Sequence, residues 1–251
     1  GPNLIIAGAG TGKTKVLTTR VAHIIDNNLA FPSQILCVTF TNKAAREMSE
    51  RVQKLVSQNM EKMPWMGTFH SIGAKIIRNH AEVIGLKQSF TILDKDDQLS
   101  LIKQIIKAEN LDQSQFSPKL IQSKIDHWKN KALNPNDIKS ESLDNLVDEK
   151  SLSIYKIYQA RLFEINCLDF GDLLLQCINL FKVTDIHKRY SNNFKYIHVD
   201  EYQDTNAAQY KWLKLLGSHH QNVCCVGDDD QSIYSWRGAE VDNMLRFEKE
   251  F

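Results

Sequence analysis

Two kinds of hydrophobic pattern alternate along the chain. Short, continuous apolar runs bounded by turn residues lie at residues 4–7, 35–40, 196–199 and 223–226. Runs of this length are typical of strands that are buried in a parallel sheet. Apolar positions with helical spacing follow the first run and form an amphipathic stripe. Its members are Val16, Leu17, Val21, Ile24 and Ile25. The pattern therefore predicts an α/β domain built on a doubly wound, mainly parallel sheet.

The positions of the glycines divide the chain. None of the eleven glycines lies in residues 86–170, and a long stretch without glycine favours helices. Within this stretch Asp94 is placed to cap one helix, and Pro118 is placed to begin another. We therefore predict an all-α insertion in the α/β domain. The predicted organisation is a first part at residues 1–85, the helical insertion at residues 86–192 and a second part at residues 193–251.

The composition is that of an ordinary globular protein. The chain has 251 residues, of which 42% are apolar and 24% are charged, and these fractions exclude disordered and fibrous classes. The 31 Lys and Arg residues balance 30 Asp and Glu residues, so binding of nucleic acid through bulk positive charge is excluded. The charges are divided along the chain, however. Residues 1–72 carry eight basic and four acidic residues, whereas residues 193–251 carry six basic and ten acidic residues.

The five cysteines and the lengths of the apolar runs indicate the cellular compartment that we expect for the protein. The number of cysteines is odd and no CxxC pair occurs, so the sequence predicts neither a disulfide framework nor a zinc site. A reducing cytoplasm is the expected environment. The longest apolar runs have the length of strands, and a glycine-rich turn interrupts the N-terminal one, so no membrane span or targeting segment is predicted.

A glycine-rich loop connects the first predicted strand to the first predicted helix. It ends on Gly12, Lys13 and Thr14, which is the order found in a phosphate-binding loop. Backbone N–H groups and the helix N-terminus attract phosphates, Lys13 adds a full positive charge, and the Thr14 hydroxyl is a ligand for Mg²⁺. The alternative is a glycine-rich turn that binds no ligand. The candidate phosphate-binding residues are Ala7, which replaces the usual first glycine, and Gly8, Ala9, Gly10, Thr11, Gly12, Lys13 and Thr14.

Two adjacent carboxylates follow the third predicted strand. Asp200 ends the apolar run at residues 196–199, and Glu201 follows it. Asp200 is a candidate to hold Mg²⁺ through bound water, and Glu201 is a candidate to orient or deprotonate the attacking water. Two acidic residues after a strand are also typical of a solvated turn, but together with the phosphate loop they indicate a nucleotide hydrolase.

Five blocks of residues occur in the same order as in one family of motor proteins. They are residues 8–14 (GAGTGKT), 40–45 (FTNKAA), 67–71 (GTFHS), 200–205 (DEYQDT) and 227–238 (GDDDQSIYSWRG). These blocks closely resemble those of the UvrD/PcrA/Rep helicases of superfamily 1, and the resemblance spans the whole chain. An alanine at the position of Ala7 is usual in that family. The resemblance implies a RecA-like P-loop domain with a helical insertion, ATP as the nucleotide and Mg²⁺ as the metal ion.

The resemblance also assigns roles to single residues. It implies that Lys13, Asp200, Glu201 and Gln231 are catalytic, with Gln231 at the γ-phosphate. Lys15 occupies a position where relatives commonly have an arginine near the adenine, and lysine lacks the planar stacking surface of arginine.

The same resemblance implies a single-stranded DNA track. A motor that moves along any sequence must stack on bases and hold the backbone through amides, hydroxyls and a few cations. For Phe40 the alternative is a core aromatic residue, and for His70 it is a capping or buried polar residue. The residues that match base-contacting positions are Phe40, Tyr234 and Trp236, and those that match other DNA-binding positions are Thr41, Asn42, Thr68, His70 and Arg237.

The function that this resemblance implies is an ATP-dependent DNA helicase that moves 3′ to 5′ on single-stranded DNA and acts at single-strand/duplex junctions. Repair or replication proteins are the expected partners. The motor of a helicase-nuclease and a non-hydrolysing, nucleotide-dependent DNA-binding module are the alternatives. Because the blocks end near Phe251, we expect the second RecA-like domain to be absent from this chain, and the chain alone to hydrolyse ATP weakly.

Overall fold

The structure of the protein is a computed structural model, and it describes residues 1–8, 10–56, 63–139, 141, 143, 145–228 and 247. The strands within these residues are β1 (Asn3–Ile6), β2 (Ile35–Thr39), β3 (Met66–Thr68), β4 (Thr91–Leu93), β5 (Cys167–Asp169), β6 (Tyr196–Val199) and β7 (Val223–Gly227). The α-helices are α1 (Lys13–Asp26), α2 (Asn42–Leu55), α3 (Phe69–Asn79), α4 (Lys95–Ala108), α5 (Pro118–Asn130), α6 (Leu146–Glu164), α7 (Asp172–Leu180), α8 (Thr184–Asn193) and α9 (Ala207–Gly217). Among the described residues, no helix is long and apolar enough to cross a lipid bilayer.

The chain divides into two compact units. The first consists of Gly1–Gly73 together with Phe181–Phe251, and the second is Ala74–Leu180. The two boundaries therefore lie earlier in the chain than the predicted ones, after residues 85 and 192. At the second boundary the reason is that α8 packs on α9, where the His187 ring bonds to the Leu215 carbonyl oxygen at 2.8 Å. The sequence pattern does not indicate the unit against which this helix packs.

The first unit is built on a parallel five-stranded sheet with the order β1-β7-β6-β2-β3. The four predicted apolar runs form β1, β2, β6 and β7, as expected, and the three-residue β3 was not predicted. Helices α1 and α2 cover one face of the sheet through a shared apolar cluster. Its fully buried members include Leu17, Val21, Ile35, Val52 and Val226. This α/β architecture with a parallel sheet is the predicted fold class.

The second unit is mainly helical, as predicted. Helices α4, α5 and α6 enclose an apolar cluster that includes Ile102, Ile125 and Leu162. The predicted cap is present, since an Asp94 carboxylate oxygen accepts hydrogen bonds from the backbone N–H groups of residues 96 and 97, each at 2.9 Å. The unit also contains a short parallel pair, β4 and β5, which the sequence pattern did not predict because each strand has only three residues.

A buried ion cluster connects several elements of the second unit. The ammonium of Lys129 on α5 lies 2.7 Å from Asp169 Oδ2 and 2.8 Å from Asp172 Oδ1. The hydroxyl of Tyr158 on α6 donates a further bond to Asp169 at 2.9 Å. The Lys129 and Asp172 side chains are 0% exposed, so the two carboxylates share one buried ammonium without solvent.

Candidate nucleotide and nucleic-acid site

The phosphate loop joins β1 to α1 through glycines in a left-handed conformation. Gly12 has φ +93° and immediately precedes the first residue of α1, and only glycine adopts this conformation without strain. Ala7 is not among the described residues with a positive φ, so its Cβ is tolerated where the general motif has glycine. Its N–H donates to the Gly227 carbonyl oxygen at 3.0 Å, which fixes the start of the loop against β7.

The ammonium of Lys13 lies within this loop. It donates to the carbonyl oxygens of Ala7 and Gly8 at 2.7 Å and 3.0 Å. Its third contact is an ion pair with Asp228 Oδ2 at 3.1 Å, and the two side chains are 9% and 2% exposed. The positive charge is therefore fixed at the mouth of the loop, where phosphate oxygens can replace the contacts that hold it.

Thr14 and Asp200 lie side by side, as the sequence prediction requires. The Thr14 hydroxyl donates to Asp200 Oδ2 at 3.0 Å. Burial and the neighbouring Glu201 carboxylate raise the pKa of Asp200 above its ordinary value. A hydroxyl and a carboxylate are hard oxygen donors of the kind that Mg²⁺ prefers, so this pair has the right chemistry for the predicted metal ion.

Glu201 has a strained backbone. Its φ of +52° is left-handed, a conformation that costs a residue other than glycine about 1–2 kcal/mol. Such strain is common at functional positions. The strained residue redirects the chain from β6 into the turn Tyr202–Asp204, and its carboxylate accepts a bond from Gln203 Nε2 at 2.7 Å.

Sheet order explains why these groups meet. Lys13 and Thr14 follow β1, Asp228 follows β7, and Asp200 and Glu201 follow β6, and these three strands are neighbours in the order β1-β7-β6. Because parallel neighbours are about 4.8 Å apart, the three strand ends lie within about 10 Å. Ligands of open parallel sheets bind at this carboxyl edge.

The predicted nucleic-acid residues lie farther along the same edge. Thr39 and Thr68 are register partners on β2 and β3, and the rings of Phe40 and Phe69, which follow them, are 5.4 Å apart. Phe40 is half-buried, whereas the N-cap residue Thr41 is exposed. The nucleotide residues and these residues therefore share one sheet edge, on adjacent groups of strands.

The remaining residues of this group have mixed environments. Asn42 begins α2 and is exposed, whereas Thr68 is buried and accepts the Ser71 N–H at 3.2 Å. His70 is half-buried, and burial lowers its pKa, so the ring is neutral at pH 7. A neutral ring supplies a hydrogen bond or a stacking surface to a ligand but no charge.

Some predicted site residues lie outside the described residues, and the structure adds two that sequence reasoning missed. Asp228 pairs with Lys13, and Gln203 bonds to Glu201. Asp228 follows an apolar strand, as Asp200 does, and this signal could have identified it. The predicted residues that lie outside the described part are Ala9, Gln231, Tyr234, Trp236 and Arg237.

Comparison with known proteins gives the family of the chain. The chain is 52% identical over 255 residues to the DNA helicase II of Rickettsia typhi and covers 38% of that protein. It is 49% identical over 252 residues to the ATP-dependent DNA helicase PcrA of Staphylococcus aureus and covers 34% of that protein. In both comparisons the whole of this chain is matched. Residues 1–251 also match the family described as UvrD/REP helicase N-terminal domain, and the chain belongs to that family.

Proposed function

We propose that this chain is the ATP-binding motor part of a DNA helicase that moves 3′ to 5′ on single-stranded DNA and unwinds duplexes at junctions. Two observations support the proposal. The relatives are named as DNA helicases, and the charged side chains required for nucleotide hydrolysis converge at one sheet edge. The observation that carries it is the convergence of the phosphate loop at Lys13 and Thr14 with the carboxylate pair Asp200 and Glu201, which lies far away in the sequence.

In the proposed mechanism the side chains have separate tasks. Lys13 binds phosphate oxygens and neutralises charge that develops on them during transfer. The backbone N–H groups at the start of α1 add the partial positive charge of the helix N-terminus. Glu201 orients the attacking water and accepts its proton.

Thr14 and Asp200 are the residues that we propose to hold Mg²⁺. When bound, the ion would supply positive charge to the phosphate oxygens of ATP. The Thr14 hydroxyl oxygen and an Asp200 carboxylate oxygen lie 3.0 Å apart in the structure. Replacing Thr14 with valine removes one oxygen at similar volume, and we expect it to raise the Mg²⁺ concentration needed for half-maximal ATP hydrolysis.

We propose that single-stranded DNA binds along the carboxyl edge of the sheet at β2 and β3. Phe40 offers a ring for base stacking, which does not depend on sequence, and Thr41 and Asn42 offer polar groups to the backbone. The 3′ to 5′ direction, junction binding and a role in repair or replication rest on the family relationship.

ATP hydrolysis by the intact protein, with and without single-stranded DNA, tests this function. Glu201→Gln removes the base at nearly constant volume, and we expect ATP turnover to fall by at least about 100-fold. Glu164→Gln is the matched control, because Glu164 is exposed at the end of α6 and its side chain is 62% exposed. Unchanged turnover in Glu201→Gln contradicts the proposed mechanism.

Strand separation tests the direction and the nuclease alternative. We expect the intact protein to unwind a duplex with a 3′ single-stranded tail faster than one with a 5′ tail. Release of the labelled strands at full length supports a helicase without nuclease activity. Unwinding only from a 5′ tail contradicts the proposed direction.

A further inference from the structure

Gln203 uses both ends of its side-chain amide within the candidate site. Its Nε2 donates to Glu201 Oε2 at 2.7 Å, and its Oε1 accepts the Asp228 N–H at 3.0 Å. The residue is 2% exposed and lies in the turn Tyr202–Asp204 that follows β6. The bond to the Asp228 N–H is buried and so protected from competition with water, and the bond to Glu201 is partly buried.

The bond to Glu201 restrains a carboxylate that must be correctly oriented to act as a general base. A glutamate side chain has several rotatable bonds, and an incorrectly directed carboxylate does not align water for attack. The backbone of Glu201 is held in the left-handed region by the turn. This fixes the position of its Cβ but not the position of its carboxylate. The amide of Gln203 restrains the far end of the side chain, at the oxygen atoms themselves.

The bond to Asp228 extends this restraint to the phosphate loop. Asp228 is buried, and its carboxylate forms the ion pair with Lys13. Its backbone N–H is the group that Gln203 accepts. A continuous set of contacts therefore runs from Lys13 through Asp228 and Gln203 to Glu201, across the ends of β1, β7 and β6.

We propose that Gln203 is a positioning residue for nucleotide hydrolysis, which orients the Glu201 carboxylate and links its position to that of Asp228. The inference rests on the proposed ATPase function. Gln203 itself transfers no proton and contacts no reacting atom; it acts through Glu201. Its loss should therefore reduce the rate of the chemical step more than the binding of ATP.

Gln203→Met tests the proposal in the intact protein, because methionine keeps the volume and removes both hydrogen bonds. We expect kcat for ATP hydrolysis to fall about 10- to 100-fold, while KM for ATP changes by less than about threefold. Gln209→Met is the matched control, since Gln209 is also buried and hydrogen-bonded, but its Oε1 accepts the Asn206 N–H in a helix cap. The control should retain kcat. A Gln203→Met kcat within about threefold of the wild-type value overturns the proposal.

A double variant separates this proposal from the proposed function. If Gln203 acts through Glu201, then Glu201→Gln combined with Gln203→Met should hydrolyse ATP at the rate of Glu201→Gln alone. A further loss equal to that of the single Gln203→Met variant overturns the positioning role and leaves the ATPase function intact. Full activity of Glu201→Gln alone overturns the ATPase mechanism itself.

Gln203→Glu keeps the acceptor for the Asp228 N–H and replaces the donor with a carboxylate oxygen. A second readout that needs no activity is hydrogen exchange at the Asp228 amide. Exchange should be faster in Gln203→Met and close to wild type in Gln203→Glu. Equal exchange in the two variants contradicts the inferred contacts.

Discussion

Replacing Lys129 with methionine is the sharpest test of what stabilises the helical unit. The side chain is 0% exposed and its ammonium lies 2.7 Å from Asp169 and 2.8 Å from Asp172. It also lies 5.6 Å from the ring centre of Tyr155 and 5.2 Å from that of Tyr158. Methionine fills nearly the same space but leaves two carboxylates without their cation.

The expected loss follows from the burial of those carboxylates. Their side chains are 3% and 0% exposed, so solvent cannot replace the missing charge. Removing one partner of a buried ion pair typically costs about 3–5 kcal/mol. The free energy of unfolding of a typical folded domain is only about 5–15 kcal/mol. We therefore expect Lys129→Met to lower the free energy of unfolding by about 3–5 kcal/mol at pH 7.5.

Urea unfolding followed by tryptophan fluorescence measures this loss. Trp128 adjoins the cluster and stacks on Tyr155, with ring centres 5.9 Å apart and an interplanar angle of 13°. Lys124→Met on the same helix is the matched control. Its ammonium pairs with Asp148, but its side chain is 29% exposed, so its loss should cost no more than about 1 kcal/mol.

The dependence on pH gives a second check. Loss of the cation raises the pKa of both carboxyls in the folded state, so they bind protons more readily there than in the unfolded chain. The deficit of Lys129→Met should therefore shrink as the pH falls from about 7.5 to about 5. A deficit no larger than that of Lys124→Met, or one that grows on acidification, refutes the reasoning.

Three further predictions concern single positions. In Gly171→Ala the new Cβ would lie 2.8 Å from Lys129 Cδ and 2.9 Å from its Cβ, so urea unfolding should show a loss of about 1–3 kcal/mol; unchanged stability would show that the lysine moves freely. Burial and the charge of Asp169 raise the pKa of Asp172 to about 6, above its unfolded value of about 3.9. Relative to Asp172→Asn, the wild-type free energy of unfolding should therefore fall by up to about 3 kcal/mol as the pH rises from about 4 to about 6, and a rise over that window is the contrary result. Gly12→Ala forces alanine to φ +93° and should weaken ATP binding about 10-fold, as measured by calorimetry; equal affinity would argue against a rigid loop.

The parts of the fold that the sequence predicts are those that depend on residues adjacent in the chain. The four apolar runs, the phosphate loop after β1 and the acidic pair after β6 each depend on local order alone. The edge strand β3 and the pair β4 and β5 could not be predicted in this way, because three residues are too few to show a hydrophobic period.

The contacts between distant residues could not be predicted in the same way. Lys13 and Asp228 are 215 positions apart, and they meet only because β7 lies beside β1 in the sheet. Lys129 occupies a position on an amphipathic helix where a lysine is normally solvated. Its burial depends on Asp169 and Asp172 of a later strand and helix, and no local pattern indicates that they face it.

The central claim is that ATP binds where Lys13 and the carboxylates that follow β6 and β7 converge. Calorimetric titration of the 251-residue chain with ATP in the presence of Mg²⁺ tests it most directly. We predict that the chain binds ATP, that Lys13→Ala weakens binding by about 10- to 100-fold, and that Lys43→Ala, at an exposed lysine on α2, leaves the affinity unchanged. Equal affinity of the wild type and Lys13→Ala would contradict the assignment of the site.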